Sequence, residues 1–157
     1  MATVPLDRTG WTATATATES GSSPANALDW NTGTRWSTGA QLAAGQWFKG
    51  DTGSSQWFNH IVLDSGASAT DYPRGLTVEE SDDNSTWRMV AGGEGSAVTT
   101  VNFPIVQARY VKVTLDKASS SGWSIAEMRV FSSRPAGQCW SCPAGAGRTG
   151  PASSRQL

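Results

Sequence analysis

Period-two alternation of side-chain character is the feature that most restricts how this chain can fold. Between Trp11 and Glu19, threonine occupies every even position and alanine the odd positions between, as in a strand whose side chains point alternately to two faces. No segment has a sustained helical period, apart from one turn at Pro24–Leu28. The other strand candidates are Gln46–Lys49, Trp57–Leu63, Gly75–Glu80, Thr86–Ala91, Ala97–Phe103, Ala108–Leu115 and Ile125–Ser132.

Clusters of Gly, Ser, Asp and Asn separate these candidates, as at Asp51–Ser55, Ser81–Ser85 and Gly92–Gly95. In the last candidate strand the apolar Met128 points to one face, and the acidic Glu127 points to the other. Many short strands with turns at near-regular spacing predict an all-β sandwich or barrel.

Composition agrees with an extracellular β protein better than with a helical or disordered chain. The 157 residues suffice for one domain with a real core, charged residues make up 16%, and Trp occurs 8 times. The net charge of −1 hides a mildly acidic body, because the residues before Arg134 hold nine Lys and Arg against thirteen Asp and Glu. This balance argues against nucleic acid and anionic lipid as partners, and no apolar run approaches the length of a membrane span.

The strand pattern stops at Ser133, so residues 1–133 are predicted to form a single module. Residues 134–157 are rich in Gly and Pro without periodicity and predict a disordered linker or tail. Cys139 and Cys142, the only cysteines, lack the context of a redox motif and a second pair for a zinc site. No basic region followed by an apolar one opens the chain, so no signal peptide is expected, and we favour a module cut from a larger secreted chain.

One loop concentrates oxygen-bearing side chains. Asp29, Asn31 and Thr34 fall within six positions, in a loop that also contains Gly33. Closely spaced hard oxygen ligands suit calcium, although the EF-hand pattern is excluded because its twelfth position, which needs Glu, is Ala40. An ordinary turn, capped by the Asp29 side chain, accounts for the same residues equally simply, and composition alone favours that turn.

The chain from about Val4 to Ser133 resembles the discoidin-like, coagulation-factor C-type domains, and among them the bacterial family 32 carbohydrate-binding modules. This resemblance implies an eight-stranded antiparallel jelly-roll β-sandwich that accompanies a catalytic domain in a secreted glycoside hydrolase. The segments that carry it are Arg8–Trp11, Ala27–Ser37, Gln46–Phe48, Phe58–Leu63, Asp71–Gly75, Ala108–Val111 and Ser124–Glu127.

The resemblance also implies a structural calcium ion that joins the early loop to the last strand. The chain departs from the family pattern in three places, one of which is Leu76–Ser81, where an aromatic residue is common. Trp30 occupies a position that is usually Gly, so it must adopt an unusual backbone conformation or lie on the surface. Gly50–Gly53 replaces a more apolar segment and should weaken packing.

The ligands that the resemblance implies for the structural calcium ion are the Asn26 carbonyl, Asp29, Asn31, Thr34, the Ala126 carbonyl and Glu127.

Relatives of this kind bind sugars with loops at one end of the sandwich, where aromatic rings and a few fixed polar groups meet the ligand. Two alternatives stay open from the residues alone. Arg74 and Asp71 could form only a loop-fixing ion pair, and Trp123 could be a lid on the core rather than a sugar platform. The candidate ligand-binding residues are Trp30, Gln41, Asp71, Tyr72, Arg74 and Trp123, whereas Trp11, Trp36 and Trp47 are interpreted as packing residues.

These observations predict a noncatalytic, monomeric module that binds a polysaccharide, with glucan favoured over galactose-containing glycans. An adhesion module that binds protein or phospholipid is the alternative. An enzyme is disfavoured because the paired acids, Glu79 with Glu80 and Asp82 with Asp83, are adjacent in sequence and cannot face each other across a cleft. His60, the only histidine, has no nucleophile motif around it and is interpreted as structural.

Overall fold

Nine strands and one short 3-10 helix make up the computed structural model, which describes residues 3–133. The helix is Pro24–Leu28, and Ser23 caps it by accepting a hydrogen bond from the Ala25 amide. The predicted linker or tail, with Cys139 and Cys142, lies outside the described residues. The strands are β1 Val4–Pro5, β2 Thr12–Ala15, β3 Trp36–Leu42, β4 Trp47–Asp64, β5 Leu76–Ser81, β6 Arg88–Gly93, β7 Val98–Leu115, β8 Ser119–Ile125 and β9 Glu127–Ser132.

The strands form two antiparallel sheets. The larger sheet has seven strands in the order β1-β9-β4-β7-β5-β6, with β2 paired to β4, and the smaller sheet pairs β3 with β8. The central strands of the larger sheet, β4 and β7, are each 18 residues long and pair along most of their length. The predicted all-β sandwich is therefore confirmed. Among the described residues there is no helix long and apolar enough to cross a membrane.

Two pairs of predicted strands are single strands in the structure. The segment Asp51–Ser55, predicted as a turn, lies inside β4, where the pairing with β7 shifts register between Asp51 and Gln56. Thr52 stabilises this irregularity, because its hydroxyl lies within hydrogen-bonding distance of the Ser54 and Arg109 carbonyls. In the same way Ala97–Phe103 and Ala108–Leu115 belong to β7. With β1, β3 and β8, which the alternation did not predict, the total becomes nine strands instead of eight.

The core between the sheets is built on aromatic side chains. Trp36 is fully buried, and its ring centroid lies 4.9 Å from that of Phe48 and 5.0 Å from that of Trp123. Trp11 is also buried, so the packing role predicted for it and for Trp36 is confirmed. Trp47 alternates with the inward-facing Phe48 and is only half-buried on the outer face of the larger sheet.

Candidate functional site

An open polar groove lies beside the small sheet. It forms where the chain following β2 meets the beginning of β3, the loop before β5 and the middle of β8. Pairing of β3 with β8 places Gln41 opposite Gly122 at one side of it. The lining residues are Glu19, Arg35, Ser37, Gly39, Ala40, Gln41, Asp71 and Gly122.

Hydrogen bonds fix the charged side chains on one wall of this groove. The Ser124 hydroxyl donates to Asp71 Oδ2 at 2.8 Å, and Arg35 Nε donates to the same hydroxyl at 3.1 Å. Ser124 also donates its backbone amide to the Asp71 carbonyl at 3.1 Å. One buried serine of β8 therefore holds a carboxylate and a guanidinium in place, which leaves their outer atoms available for a ligand.

Glu19 is positioned by β3. Its backbone amide donates to the Ser37 carbonyl at 2.8 Å, and its Oε1 accepts from the Ser37 hydroxyl at 3.2 Å. Gly39 permits this approach, because it has φ of +73° and a Cβ there would lie 3.0 Å from Glu19 Cα. Glu19 Oε2 lies 3.8 Å from Arg35 Nη2. The Glu19 side chain is 44% exposed and the Arg35 side chain is 42% exposed. This long, exposed pair contributes little to stability and can exchange for ligand contacts.

The structure brings two of the six candidate ligand-binding residues, Gln41 and Asp71, into the groove. Arg74 and Tyr72 lie in the adjoining loop instead. The Arg74 guanidinium carbon lies 3.8 Å from the centre of the Tyr72 ring, and Arg74 donates to the Thr70 carbonyl at 3.0 Å and to the Ser121 hydroxyl at 3.2 Å. Arg74 thus fixes the loop through carbonyl and hydroxyl groups, without the predicted pairing to Asp71.

The prediction that Trp123 stacks on a sugar is wrong, and its alternative, a packing role in the core, is correct. The side chain is 0% exposed and lies edge-on to Trp36. The Ser- and Gly-rich β8 gives no readable alternation, so the inward direction of this side chain could not be deduced from the sequence. Its neighbour Gly122 reaches the groove in its place.

Trp30 has both features that the sequence predicts as alternatives, an unusual backbone conformation and a side chain on the surface. Its backbone is left-handed, with φ of 63°, and its side chain is 60% exposed. The Arg8 guanidinium carbon lies 3.9 Å from the centre of the ring, so one ring face covers this buried cation. Trp30 does not line the polar groove, and its predicted contact with ligand is not supported by its position.

Two of the three charged groove residues, Glu19 and Arg35, are not among the residues predicted from the sequence. Arg35 directly precedes the buried Trp36, and strict alternation along β3 would have placed it outward. Glu19 ends the Thr–Ala repeat and is the only charged residue between Trp11 and Asp29. Neither of these two sequence positions indicates that the side chains lie close together. Their proximity arises because the segment that follows β2 crosses over β3.

The oxygen-rich loop is closed by its own hydrogen bonds. Asp29 Oδ1 accepts from the Asn31 amide at 3.0 Å, and Asp29 Oδ2 lies 2.5 Å from the Thr34 hydroxyl. The same hydroxyl lies 3.0 Å from the Asn31 carbonyl. Asn26 reaches back across the loop and donates its side-chain amide to the Arg35 carbonyl at 3.0 Å. The capped turn considered in the sequence analysis is therefore present, and it orients several oxygen atoms together.

Glu127 extends this cluster from the beginning of β9. Its side chain is 1% exposed, and Oε1 accepts from Arg8 Nη2 at 2.6 Å. Its Oε2 is buried without a hydrogen-bond donor among residues 3–133. Burial raises the pKa of Glu127, and the neighbouring Asp29 carboxylate raises it further against the opposing effect of Arg8. Burial also acts to raise the pKa of Asp29, but hydrogen bonds from Thr34 and Asn31 outweigh it and lower that pKa.

This arrangement fits a calcium ion. Two adjoining carboxylates, one with a buried oxygen that lacks a donor, repel each other unless a cation or a shared proton lies between them, and Arg8 supplies only one positive charge. Residues 3–133 contain no group of three or more His, Cys, Asp or Glu side chains suited to a metal ion. Any cation here would therefore be completed by hydroxyl, amide and carbonyl oxygens, which calcium accepts more readily than transition metals do.

The two-sheet sandwich with a polar groove among its loops defines a discoidin-like module. The F5/8 type C domain family model matches residues 12–128, and the chain belongs to this family. A search of curated proteins gave no match.

Solved structures of family 32 carbohydrate-binding modules share the fold. The module of Clostridium perfringens NanJ, in complex with galactose, is 24% identical with a TM-score of 0.71, covering 83% of this chain and 99% of that one. Chitosan-binding module 1 of a chitosanase/glucanase from Paenibacillus sp. IK-5 is 29% identical with a TM-score of 0.65, covering 76% and 92%. The AlyQ module, in complex with 4,5-unsaturated mannuronic acid, is 28% identical with a TM-score of 0.66, covering 82% and 98%. A longer AlyQ structure joins that module to alginate lyase domains.

Proposed function

We propose that this chain is a noncatalytic module that binds a polysaccharide in the groove between Glu19, Arg35 and Asp71. The observation that carries the proposal is the fixed placement of carboxylate and guanidinium groups on an open groove. Sugar hydroxyls both donate and accept, so they need acceptors and donors held in position, and preorganised groups bind with a smaller entropic cost. The sugars bound by the relatives at 28% and 29% identity support the same conclusion.

The charges of the groove favour a neutral or cationic chain. Two carboxylates, of Glu19 and Asp71, face one guanidinium, of Arg35, so an acidic polysaccharide would meet net repulsion. We therefore propose a glucan backbone, with its amino-substituted form, chitosan, as a close competitor, ahead of galactan and alginate. The chitosan-binding relative at 29% identity supports including the amino sugar.

The paired acids support a noncatalytic role. Glu80 is buried and accepts from Arg88 Nε at 2.5 Å, and Asp82 accepts from the same guanidinium at 3.2 Å. Both carboxylates are therefore occupied by a structural ion pair. A module without catalytic groups acts by holding an attached enzyme at its substrate, so we also propose that this chain is a monomeric part of a secreted glycoside hydrolase.

Calcium is proposed as a structural ion held by Asp29, Asn31, Thr34 and Glu127, with the Asn26 and Ala126 carbonyls. When bound, it would neutralise the adjoining carboxylates and tie the loop to β9, and binding to the folded state alone adds stability. Differential scanning calorimetry tests this, with calcium, with magnesium and with a chelator. A rise in the melting temperature with calcium that Asp29→Asn abolishes would support the site, and equal melting temperatures in calcium and chelator would refute it.

Affinity electrophoresis against β-glucan, chitosan, galactan and alginate tests the sugar proposal. Wild type should be retarded by β-glucan or chitosan. Asp71→Ala should weaken this binding by about tenfold or more, because a hydrogen bond to a charged group contributes about 1.5–3 kcal/mol. Glu94→Ala is the matched control, since it also removes a carboxylate but at an exposed position outside the groove.

No retardation on any gel would refute sugar binding. The adhesion alternative then comes first, because the 60% exposed Trp30 offers an apolar contact to a membrane or a protein. Co-sedimentation with phosphatidylserine vesicles would test it, and loss of that binding in Trp30→Ala would support it.

A further inference from the structure

A second polar depression adjoins the groove and shares two residues with it. The groove has a cavity volume of about 410 Å³ and the depression about 310 Å³, and Glu19 and Arg35 line both. The opposite walls of the depression come from Thr32 and Gly33 on one side and from Ser65, Ala67 and Ser68 on the other. The two hollows therefore adjoin each other at the exposed Glu19–Arg35 pair.

A glycine brings the walls of this depression together. Gly66 has φ of +61°, and a Cβ there would lie 2.8 Å from Ala126 Cβ and 3.2 Å from the Thr32 carbonyl oxygen. The first distance is shorter than real Cβ atoms show, and the second is tighter than most. Together with the positive φ, this favours glycine where the 65–68 turn approaches the Thr32 loop.

The 65–68 wall is also well anchored. The Ser65 amide and hydroxyl both donate to the Ala97 carbonyl, at 2.9 and 2.8 Å, and the Gly66 amide donates to Asp64 Oδ1 at 2.8 Å. The Ser68 amide closes the turn by donating to the Ser65 carbonyl at 3.1 Å. A wall held in this way keeps its shape without a ligand and binds with a low ordering cost.

The lining of the depression suits sugar hydroxyls. Apart from Glu19 and Arg35 it offers the hydroxyl groups of Ser20, Ser22, Thr32 and Ser68, and it contains no aromatic ring. Asn26, Thr34 and Ala126 also line it, but their oxygen atoms are those that the proposed calcium ion would use. Such a surface contacts a ligand by hydrogen bonds along its edge rather than by stacking on its face. It would therefore add affinity for further units of a chain already held in the groove.

We propose that a bound polysaccharide extends from the groove across the Glu19–Arg35 pair into the depression. This inference rests on the proposed function. The module then binds several consecutive sugar units along a polysaccharide, instead of recognising only a terminal unit. Affinity rises with chain length until both hollows are filled, and it then stays constant.

Isothermal titration with β-1,4-linked glucose and glucosamine oligomers, from the monomer to the hexamer, tests this. Affinity should increase by about tenfold or more between the dimer and the pentamer in one of the two series. Ala67→Trp, which places a bulky ring at an exposed position lining the depression, should lower pentamer affinity by about tenfold. Ala69→Trp is the matched control, because Ala69 is exposed in the same loop but does not line the depression, and it should bind like wild type.

The outcomes separate this inference from the function on which it rests. Binding that depends on Asp71 but does not increase with length, or equal pentamer affinities for Ala67→Trp and Ala69→Trp, overturns the extended groove and leaves sugar binding intact. Absence of binding to every oligomer and polysaccharide overturns both. Melting temperatures of the two tryptophan variants confirm that each is folded before its affinity is compared.

Discussion

Gly50, near the beginning of β4, leaves room in the core for a methyl group. It is buried and pairs with Ala13 on one side and Val111 on the other. A Cβ at this position would lie 3.7 Å from Val111 Cγ1 and 3.8 Å from Met128 Cε, which are ordinary van der Waals distances. Its φ is not in the left-handed region, so alanine fits without backbone strain. We therefore predict that Gly50→Ala stabilises the module.

The magnitude follows from two contributions. Replacing glycine restricts the unfolded chain and contributes about 0.4–1 kcal/mol, and burying one methyl group contributes about 0.8 kcal/mol. The free energy of unfolding should rise by about 1–2 kcal/mol, which corresponds to an increase in melting temperature of about 3–7 °C for a domain of this size. This gain would recover part of the packing that the Gly50–Gly53 segment is expected to lose relative to the family pattern.

Urea unfolding followed by tryptophan fluorescence, together with calorimetry, measures this change. Gly39→Ala is the control, since its φ of +73° and a Cβ 3.0 Å from Glu19 Cα make alanine strained there, and it should lower stability. A Gly50→Ala variant that is equal to or less stable than wild type, with an unchanged urea dependence, would refute the argument that this part of the core accepts a methyl group.

Three further changes test other parts of the structure. Arg8→Met should lower the free energy of unfolding by about 3–5 kcal/mol in urea titrations, because it leaves the buried Glu127 carboxylate unpaired, and a smaller loss would mean that this carboxylate is protonated or solvated. Trp123→Ala should cost about 3–5 kcal/mol by the same method, and unchanged stability would contradict its place in the core. The Arg109 guanidinium lowers the pKa of Asp51, so this carboxylate stabilises the fold above the ordinary Asp pKa and loses that contribution as the pH falls through its lowered value. Asp51→Asn should therefore flatten the decline in stability below about pH 4, and an unchanged acid melting curve would contradict this.

The class of fold could be predicted because alternation and turn composition are local properties. The number of strands could not be predicted, because glycine and serine occur both in turns and in bulges within strands. Asp51–Ser55 has the composition of a turn, but pairing with β7 keeps it within β4. That pairing joins residues far apart in sequence, and no local pattern reports it.

The candidate site was predicted where a single loop supplied the signal. Asp71 was identified from its own loop, and Gln41 from the resemblance to sugar-binding relatives. Arg35 and Glu19 belong to different segments, and their meeting depends on hydrogen bonds between the chain following β2 and β3. The sequence alone leaves two roles open for Trp123, a sugar platform and a lid on the core, and only the structure shows that β8 directs its side chain into the core.

The Arg8 side chain explains why a tryptophan with a left-handed backbone is tolerated beside the oxygen-rich loop. A bulky residue in that conformation costs about 1–3 kcal/mol, and stacking on a guanidinium returns part of this cost. The same guanidinium is paired with Glu127, so Trp30 shields a buried ion pair from water and strengthens it. Because Arg8 already balances one of the two carboxylates, a calcium ion in the proposed site would meet a net charge of about −1 rather than −2. Calcium bound in the proposed site would therefore contribute less than it would in a module without this arginine, because Arg8 and the hydrogen bonds of the loop already hold this region.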